Sequence, residues 1–273
     1  MKKVLATFLF LVITHSLQAQ TYEDMVTKSL DLLEQNDYAG AEMAMVAAMR
    51  KEPGNPNNIM LMVNLGTIQR QLGKYDEALI SYTVAVERYP ENSFVRHNRA
   101  ALYCEMNKFG EALMDYNTIL LYDENDVEAL YRRGLIHLSI KDIFHAEDDF
   151  EKIIKIDDKN LNAQMGLIAI MKLRSLWKEA EEAYSDLIYK NKSNGSLYYN
   201  RAECYLQLKR LARAQDDIAK AINLGYDKAE VYILRGQLRL EQYDKERAKE
   251  DFLKAKEMGA DEKTMDDLLL RCK

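Results

Sequence analysis

Proline is scarce in this chain. There are three in 273 residues, Pro53, Pro56 and Pro90, so no proline can break a helix beyond residue 90. A basic excess is also lacking: 38 Lys and Arg stand against 44 Asp and Glu, a net charge of −6. That balance argues against a nucleic-acid partner, which needs a concentrated basic surface. Long apolar runs are missing outside the extreme N-terminus, so no other stretch is apolar enough to span a membrane. Catalytic signatures are absent too. Gly66 to Gly73-Lys74 is a weak echo of a phosphate loop, but its glycines are separated by six residues instead of four. Tyr75 also follows the lysine where a Ser or Thr would coordinate the metal. Beyond the N-terminus the histidines are His97, His137 and His145, and no two have metal-ligand spacing. The chain is expected not to be an enzyme and to need no cofactor and no metal.

The N-terminus reads as a secretory signal over residues 1–19. Lys2-Lys3 precede an apolar run over residues 4–13, and Leu17-Gln18-Ala19 precede Gln20. The run is shorter than the roughly 20 residues of a membrane-spanning helix. The alternative is an uncleaved membrane anchor. No cysteine follows the run to accept a lipid. Removal of the leader takes away two lysines and moves the net charge from −6 to −8. The expectation is an exported, periplasmic protein with no membrane insertion after signal cleavage near Ala19.

The rest of the chain repeats. In the stretch 59–92, apolar and small residues recur at spacings of three and four in two runs, with Gly73 between them and Pro90 after the second. That is helix, tight turn and antiparallel helix. Steps of 34 residues from Ala78 reach Ala112, Ala146, Ala180, Ala214 and Ala248, and a step back reaches Ala41 once the insertion Pro56-Asn57-Asn58 is allowed for. Four residues after each alanine stand Met45, Tyr82, Tyr116, Phe150, Tyr184, Ile218 and Phe252. A small residue marks the first helix at Ser29, Gly66, Ala100, Gly134, Ala202 and Gly236, with Ile168 as the exception. Such a hairpin cannot bury its apolar face alone, and stacking solves this.

These residues closely resemble the tetratricopeptide repeat (TPR) family. The resemblance implies an all-α fold, a right-handed α-α superhelix (TPR solenoid) of seven helix-turn-helix repeats over a single domain, 20–273. The repeats are placed at 22–55, 59–92, 93–126, 127–160, 161–194, 195–228 and 229–262. An end cap is expected over 263–273, where Met265, Leu268 and Leu269 share one stripe of a helix starting near Asp261. All three prolines fall between units, and Gly225 and Gly259 mark later junctions. Asn36, Gly73 and Asn107 suit left-handed turns within units. Tyr243 falls two places earlier than Tyr75 does in its own unit, so the last turn is expected to be distorted. Three cysteines is an odd number for an exported chain. Cys104 and Cys204 lie three repeats apart, too far for a disulfide. Free thiols are expected, with Cys204 packed as a small apolar residue.

One pattern is particular to this chain. The seventh place of the unit, usually apolar in the family, is Arg99, Arg133, Arg201 and Arg235 in four units. In those units the place sixteen residues later is Asp115, Asp149, Asp217 and Asp251. Where the seventh place is Leu65 or Leu167, its counterpart is Ser81 or Ala183. Lys28 opposite Ala44 breaks the symmetry. The reading is an Arg–Asp pair joining the two helices of one hairpin. Catalysis needs one site, not four copies.

By resemblance, the second, fifth, sixth, ninth and twelfth places of each unit look into a concave face. They include Met60, Val63 and Asn64, then Phe94, His97, Asn98 and Cys104, then Glu128, Tyr131 and Arg132. Asn162 and Met165, Tyr199, Asn200 and Glu203, and Glu230 with Ile233 follow. The expected ligand-binding residues are Phe94, His97, Asn98, Tyr131, Arg132, Tyr199 and Asn200. Aromatic faces stack on side chains, and amides bond an extended backbone. The alternative is that Tyr131 and Tyr199 only pack against neighbouring helices. TPR modules that clamp a chaperone's acidic C-terminus carry a set of Lys, Asn and Arg side chains on three successive units. Asn98 and Arg132 fit two of those places, but Val63, Thr67 and Glu128 hold the others, so that clamp is not supported. The implied function is a non-catalytic scaffold binding a protein or peptide in the concave groove. The alternative is a subunit of a larger envelope assembly, docked through its convex or end surfaces.

Overall fold

The structure is a computed structural model that describes residues 21–273. The expected leader, 1–19, lies outside the described residues. Fifteen helices and no strand occur among the described residues. Backbone contacts divide the chain into two compact units, one ending at Tyr122 and one beginning at Asp123. The first holds three hairpins: α1 (Tyr22–Glu34) with α2 (Tyr38–Lys51), α3 (Asn58–Gln71) with α4 (Tyr75–Arg88), and α5 (Ser93–Glu105) with α6 (Phe109–Tyr122). The second holds four: α7 (Val127–Ser139) with α8 (Ile143–Ile156), α9 (Leu161–Leu173) with α10 (Trp177–Lys190), α11 (Gly195–Gln207) with α12 (Leu211–Asn223), and α13 (Ala229–Glu241) with α14 (Lys245–Glu257). The closing helix α15 spans Glu262–Leu270.

Short polar side chains start the helices. Asn92, Asp126 and Asn160 accept from the backbone N–H of Val95, Ala129 and Ala163, which satisfies donors that a first turn leaves open. Asp37, Asp142 and Asp244 do the same for α2, α8 and α14. Each hairpin turn is closed by one left-handed residue: Asn36, Gly73, Asn107, Lys141, Ser175, Lys209 and Tyr243, with φ between 57° and 72°. In every case the next residue's N–H reaches a carbonyl five residues back, as Asp244 does to Arg239 at 2.9 Å and Lys74 to Gln69 at 2.8 Å. The turn at Tyr243 is therefore not distorted, contrary to the sequence expectation. Tyr243 holds the left-handed place itself and is 91% exposed, whereas Tyr75 opens a helix. The two tyrosines are not equivalent, and backbone hydrogen bonds set the turn.

All seven repeat alanines, Ala41 to Ala248, have no exposed surface. The large residues four places on are equally buried, from Met45 to Phe252. Phe150 shows why small residues face them. A Cβ added at Gly134 would meet its ring at 2.9 Å, and one at Gly166 would meet it at 2.7 Å. Gly166 supplies the close approach in the unit where Ile168 breaks the small-residue pattern, and Ile168 is buried in the core instead. Truncating Phe150 to alanine would remove about 3–5 kcal/mol on the scale of such core losses. At the C-terminal end, Met265 and Leu268 of α15 bury against Phe252 and Ala255. The three cysteines are free thiols. Cys204 is fully buried, its sulfur donating to the Asn200 carbonyl, and burial pushes the thiol up to about 12.

The four spaced Arg–Asp pairs meet. Arg99 Nη2 lies 2.7 Å from Asp115, Arg133 Nη2 2.6 Å from Asp149, and Arg235 Nη2 2.6 Å from Asp251. Arg201 holds Asp217 bidentately, through Nε at 2.7 Å and Nη2 at 2.8 Å. The carboxylates are buried, and Asp115 and Asp251 each receive a second arginine, Arg96 and Arg239, both at 2.8 Å. Asp217 holds the Arg201 guanidinium above its ordinary range, chiefly through these hydrogen bonds. The arginines also reach backwards: Arg201 Nη1 donates to Ser185 of the preceding hairpin at 3.0 Å. One guanidinium thus fixes the two helices of its own hairpin and their neighbour. In the uncharged unit Ser81 donates to Gln69 at 2.7 Å instead.

A buried ion pair is costly to break from one side only. Asp217→Ala should lower stability by about 3 kcal/mol, and the double change Arg201→Leu with Asp217→Ala should lower it less. Denaturant unfolding of both variants measures this, and an equal or greater loss in the double variant would contradict the coupling.

Candidate functional site

The expected ligand residues divide between the two units. Phe94, His97 and Asn98 lie on α5 of the first unit. Phe94 is 57% exposed. The His97 ring stands 5.9 Å from that of Tyr116, so it packs on the repeat's own aromatic core. Asn98 Nδ2 donates to the Phe94 carbonyl at 2.8 Å, which ties the amide to its own helix and uses one of its two N–H donors.

Tyr131, Arg132, Tyr199 and Asn200 lie in the second unit, on α7 and α11. A cleft of about 410 Å³ opens between the first helices α7 and α9, lined by Val127, Glu128, Tyr131, Arg132, Asn160 and Asn162. The Tyr131 ring rests on Phe150, 6.1 Å between centroids, so its orientation is fixed by the core. Arg132 and Glu128 sit one helical turn apart, 3.6 Å between charged atoms, and both are more than half exposed. Such an exposed pair contributes little to stability and is open to exchange for another partner. Asn162 is exposed at the rim.

Tyr199 follows the packing alternative that the sequence left open, and Asn200 is engaged beside it. Tyr199 packs on Tyr226, 5.4 Å between ring centroids, and burial pushes its hydroxyl well above the ordinary phenol range. Asn200 Nδ2 donates to the Ser196 carbonyl, and its Oδ1 accepts from Lys172, which also pairs with Glu203. Both side chains are engaged within the fold, because the second unit brings α9, α11 and the loop carrying Tyr226 together around them.

Two further features escaped sequence reasoning. The first is an exposed apolar row on the second helices of the first unit. Met43, Ile80 and Met114 occupy the same place in three consecutive hairpins and are 73%, 65% and 70% exposed. In the second unit that place reads Asp148, Glu182, Asp216 and Glu250. This contrast is legible in the sequence, on a face other than the concave one. The second is a convergence of donor atoms at the turn between α7 and α8. His137, Asp142 and His145 each offer one ligand atom within 4.8 Å of the others. No single-helix spacing reveals it, because the turn folds α8 back beside α7.

The repeats are confirmed by comparison with known proteins. Residues 26–93 and 174–223 match one tetratricopeptide repeat family model, and residues 127–160 match a second. A tetratricopeptide repeat protein of known structure from Parabacteroides merdae is 41% identical, covering 93% of this chain and 99% of that one, with a TM-score of 0.84. The structure of pilF from Pseudomonas aeruginosa is 15% identical over 78% of this chain and 96% of its own, with a TM-score of 0.60, a likeness of fold. RNA polymerase II-associated protein 3 of Xenopus tropicalis is 27% identical over 54% of this chain. The match covers only 21% of that curated relative's length. The chain belongs to the tetratricopeptide repeat family, whose members are generally non-catalytic protein-interaction scaffolds.

Proposed function

We propose that this protein is an exported scaffold that holds an extended peptide segment of a partner on the concave side of its first helices. The observation that carries this reading is the cleft between α7 and α9, where Tyr131, Arg132 and Asn162 converge. A ring seated on Phe150 offers a rigid stacking face at little entropic cost. Arg132 offers a cation whose present partner, Glu128, is an exposed and weak one. Asn162 offers an amide that both donates to and accepts from a peptide backbone. Such a groove binds by display, with no bond made or broken.

Export rests on Lys2-Lys3, the short apolar run after them and Leu17-Gln18-Ala19 before Gln20. Purified from its native cells, the protein should have the mass of a chain that begins at Gln20. A mass that includes residues 1–19 would instead favour the uncleaved anchor.

A second reading is favoured by the apolar row Met43, Ile80 and Met114. Exposed apolar side chains aligned over three hairpins suit a subunit docked through its outer face in a larger assembly. The core does not require them, since the second unit places acids there.

The two readings separate on one partner, recovered with the protein from its native envelope and then titrated. In the groove reading, Tyr131→Ala and Asn162→Ala should each weaken binding by about 1–2 kcal/mol, with Lys152→Ala as the outer-face control. In the docking reading, Ile80→Glu with Met114→Glu should abolish binding and leave the groove variants at parental affinity. Unfolding should stay within about 0.5 kcal/mol of the parent for the changes at Asn162, Lys152, Ile80 and Met114, while Tyr131→Ala also loses its ring contact with Phe150 and is titrated where it remains folded.

A further inference from the structure

The turn between α7 and α8 brings together three donors from different parts of one hairpin. His137 comes from the last turn of α7, Asp142 from the N-cap of α8, and His145 from its first turn. Asp142 divides its oxygens between two tasks. Oδ1 accepts from the His145 backbone N–H at 3.3 Å and so caps α8. Oδ2 faces both imidazoles, 2.7 Å from His145 Nδ1 and 3.3 Å from His137 Nδ1. The two rings stack, 5.1 Å between centroids at 27°.

His137 Nδ1 is the informative atom. It is shielded from solvent and makes no hydrogen bond, although a carboxylate oxygen stands 3.3 Å away. A buried ring nitrogen normally finds a partner. Asp142 Oδ2 and His145 Nδ1 share a hydrogen bond, while His137 Nδ1 is left unbonded beside them, so two ring nitrogens and a carboxylate oxygen converge on one point. Zinc bonds of roughly 2.0–2.2 Å in tetrahedral geometry put neighbouring ligand atoms about 3.3 Å apart. The His137–Asp142 separation of 3.3 Å matches that edge. The closer His145–Asp142 contact must open slightly, and His145, with its side chain 61% exposed, is free to turn outward.

We propose that His137, Asp142 and His145 bind one divalent transition-metal ion of the zinc class, with Nδ1, Oδ2 and Nδ1 as ligands. Two imidazoles favour such an ion over magnesium or calcium, which take oxygen ligands. Three protein ligands leave a fourth position, which water would take. Asp142 ionised and two neutral rings leave one net positive charge on the centre. The guanidinium of nearby Arg133 is already countered by Asp149, so it adds little repulsion. His145 must carry its ring proton on Nε2 when Nδ1 ligates, a tautomer exchange that leaves the charge unchanged. The bound ion would tie the C-terminus of α7 to the N-terminus of α8. It would therefore strengthen one hairpin in particular.

The test uses the tag-free full protein under reducing conditions, titrated with Co²⁺ and then Zn²⁺. The expected result is one equivalent of Co²⁺ bound at micromolar concentration, with visible bands of a nitrogen–oxygen site. Zn²⁺ should displace it and raise the melting temperature. His145→Ala should weaken binding by at least about tenfold, since even outer-shell changes cost 10–100-fold. It should leave the metal-free circular dichroism unchanged, because the side chain is exposed. His137→Gln serves as a second, more buried variant. Absence of saturable binding would overturn the proposal. So would parental affinity in His145→Ala, or a thiolate charge-transfer band placing the ion on Cys104 or Cys272.

Discussion

Two helices of a hairpin can close on each other only where a side chain no larger than a methyl stands at their crossing. Here that constraint is met seven times by Ala41, Ala78, Ala112, Ala146, Ala180, Ala214 and Ala248, none with any exposed surface. Everything else follows from the spacing this sets. Close helices leave a gap toward the next hairpin, and Tyr82, Tyr116, Phe150 and their counterparts fill it. Where the facing residue is glycine the ring takes the space a Cβ would need, as the contacts of Phe150 with Gly134 and Gly166 show. A larger residue at the alanine would separate the helices and open the ring's pocket together, so the alanine is constant while the large residue four places on varies among Met, Tyr, Phe and Ile.

Burial of four aspartates within this frame needs compensation. An isolated buried carboxylate is strongly unfavourable, and each here meets at least one arginine from the first helix of its hairpin. The fork of the guanidinium matters more than its charge. Arg201 spends two nitrogens on Asp217 and a third on Ser185, and a lysine could not serve all three directions. The pairs therefore set the register of one hairpin and its seat on the last. The uncharged unit, with Leu65 and the Ser81–Gln69 hydrogen bond, shows that the fold itself does not demand them.

The repeat was legible because its constraints are local and periodic. Spacing alone identified the alanines, the rings and the Arg–Asp partners sixteen residues apart. Where the structure departs from the sequence reading, the cause is always a contact that periodicity cannot carry. Tyr243 looked like a displaced Tyr75 because both are aromatic, yet the hydrogen bonds of the turn assign it another place. Asn200 looked available because its place in the repeat faces inward, but Lys172 of the preceding hairpin reaches it. His137 and His145 stand eight residues apart on separate helices, and only the left-handed Lys141 brings them face to face.

The outer surface obeys a different logic from the core. At the place held by Met43, Ile80 and Met114, the later hairpins put Asp148, Glu182, Asp216 and Glu250. Lys152, Lys220 and Lys254 follow three of these acids at four residues, a spacing that supports a solvated helix by a few tenths of a kcal/mol per pair, while Asp186 follows Glu182, which pairs instead with Lys178 one turn before it. Met43 with Ala47 and Ile80 with Val84 forgo that support and hold apolar area in solvent. Both units satisfy the same core with the same columns of alanine and ring, so folding does not explain the difference. The exposed row is thus a property of the surface itself. It lies on the first unit, while the cleft at Tyr131 and the donor cluster at His137 belong to the second.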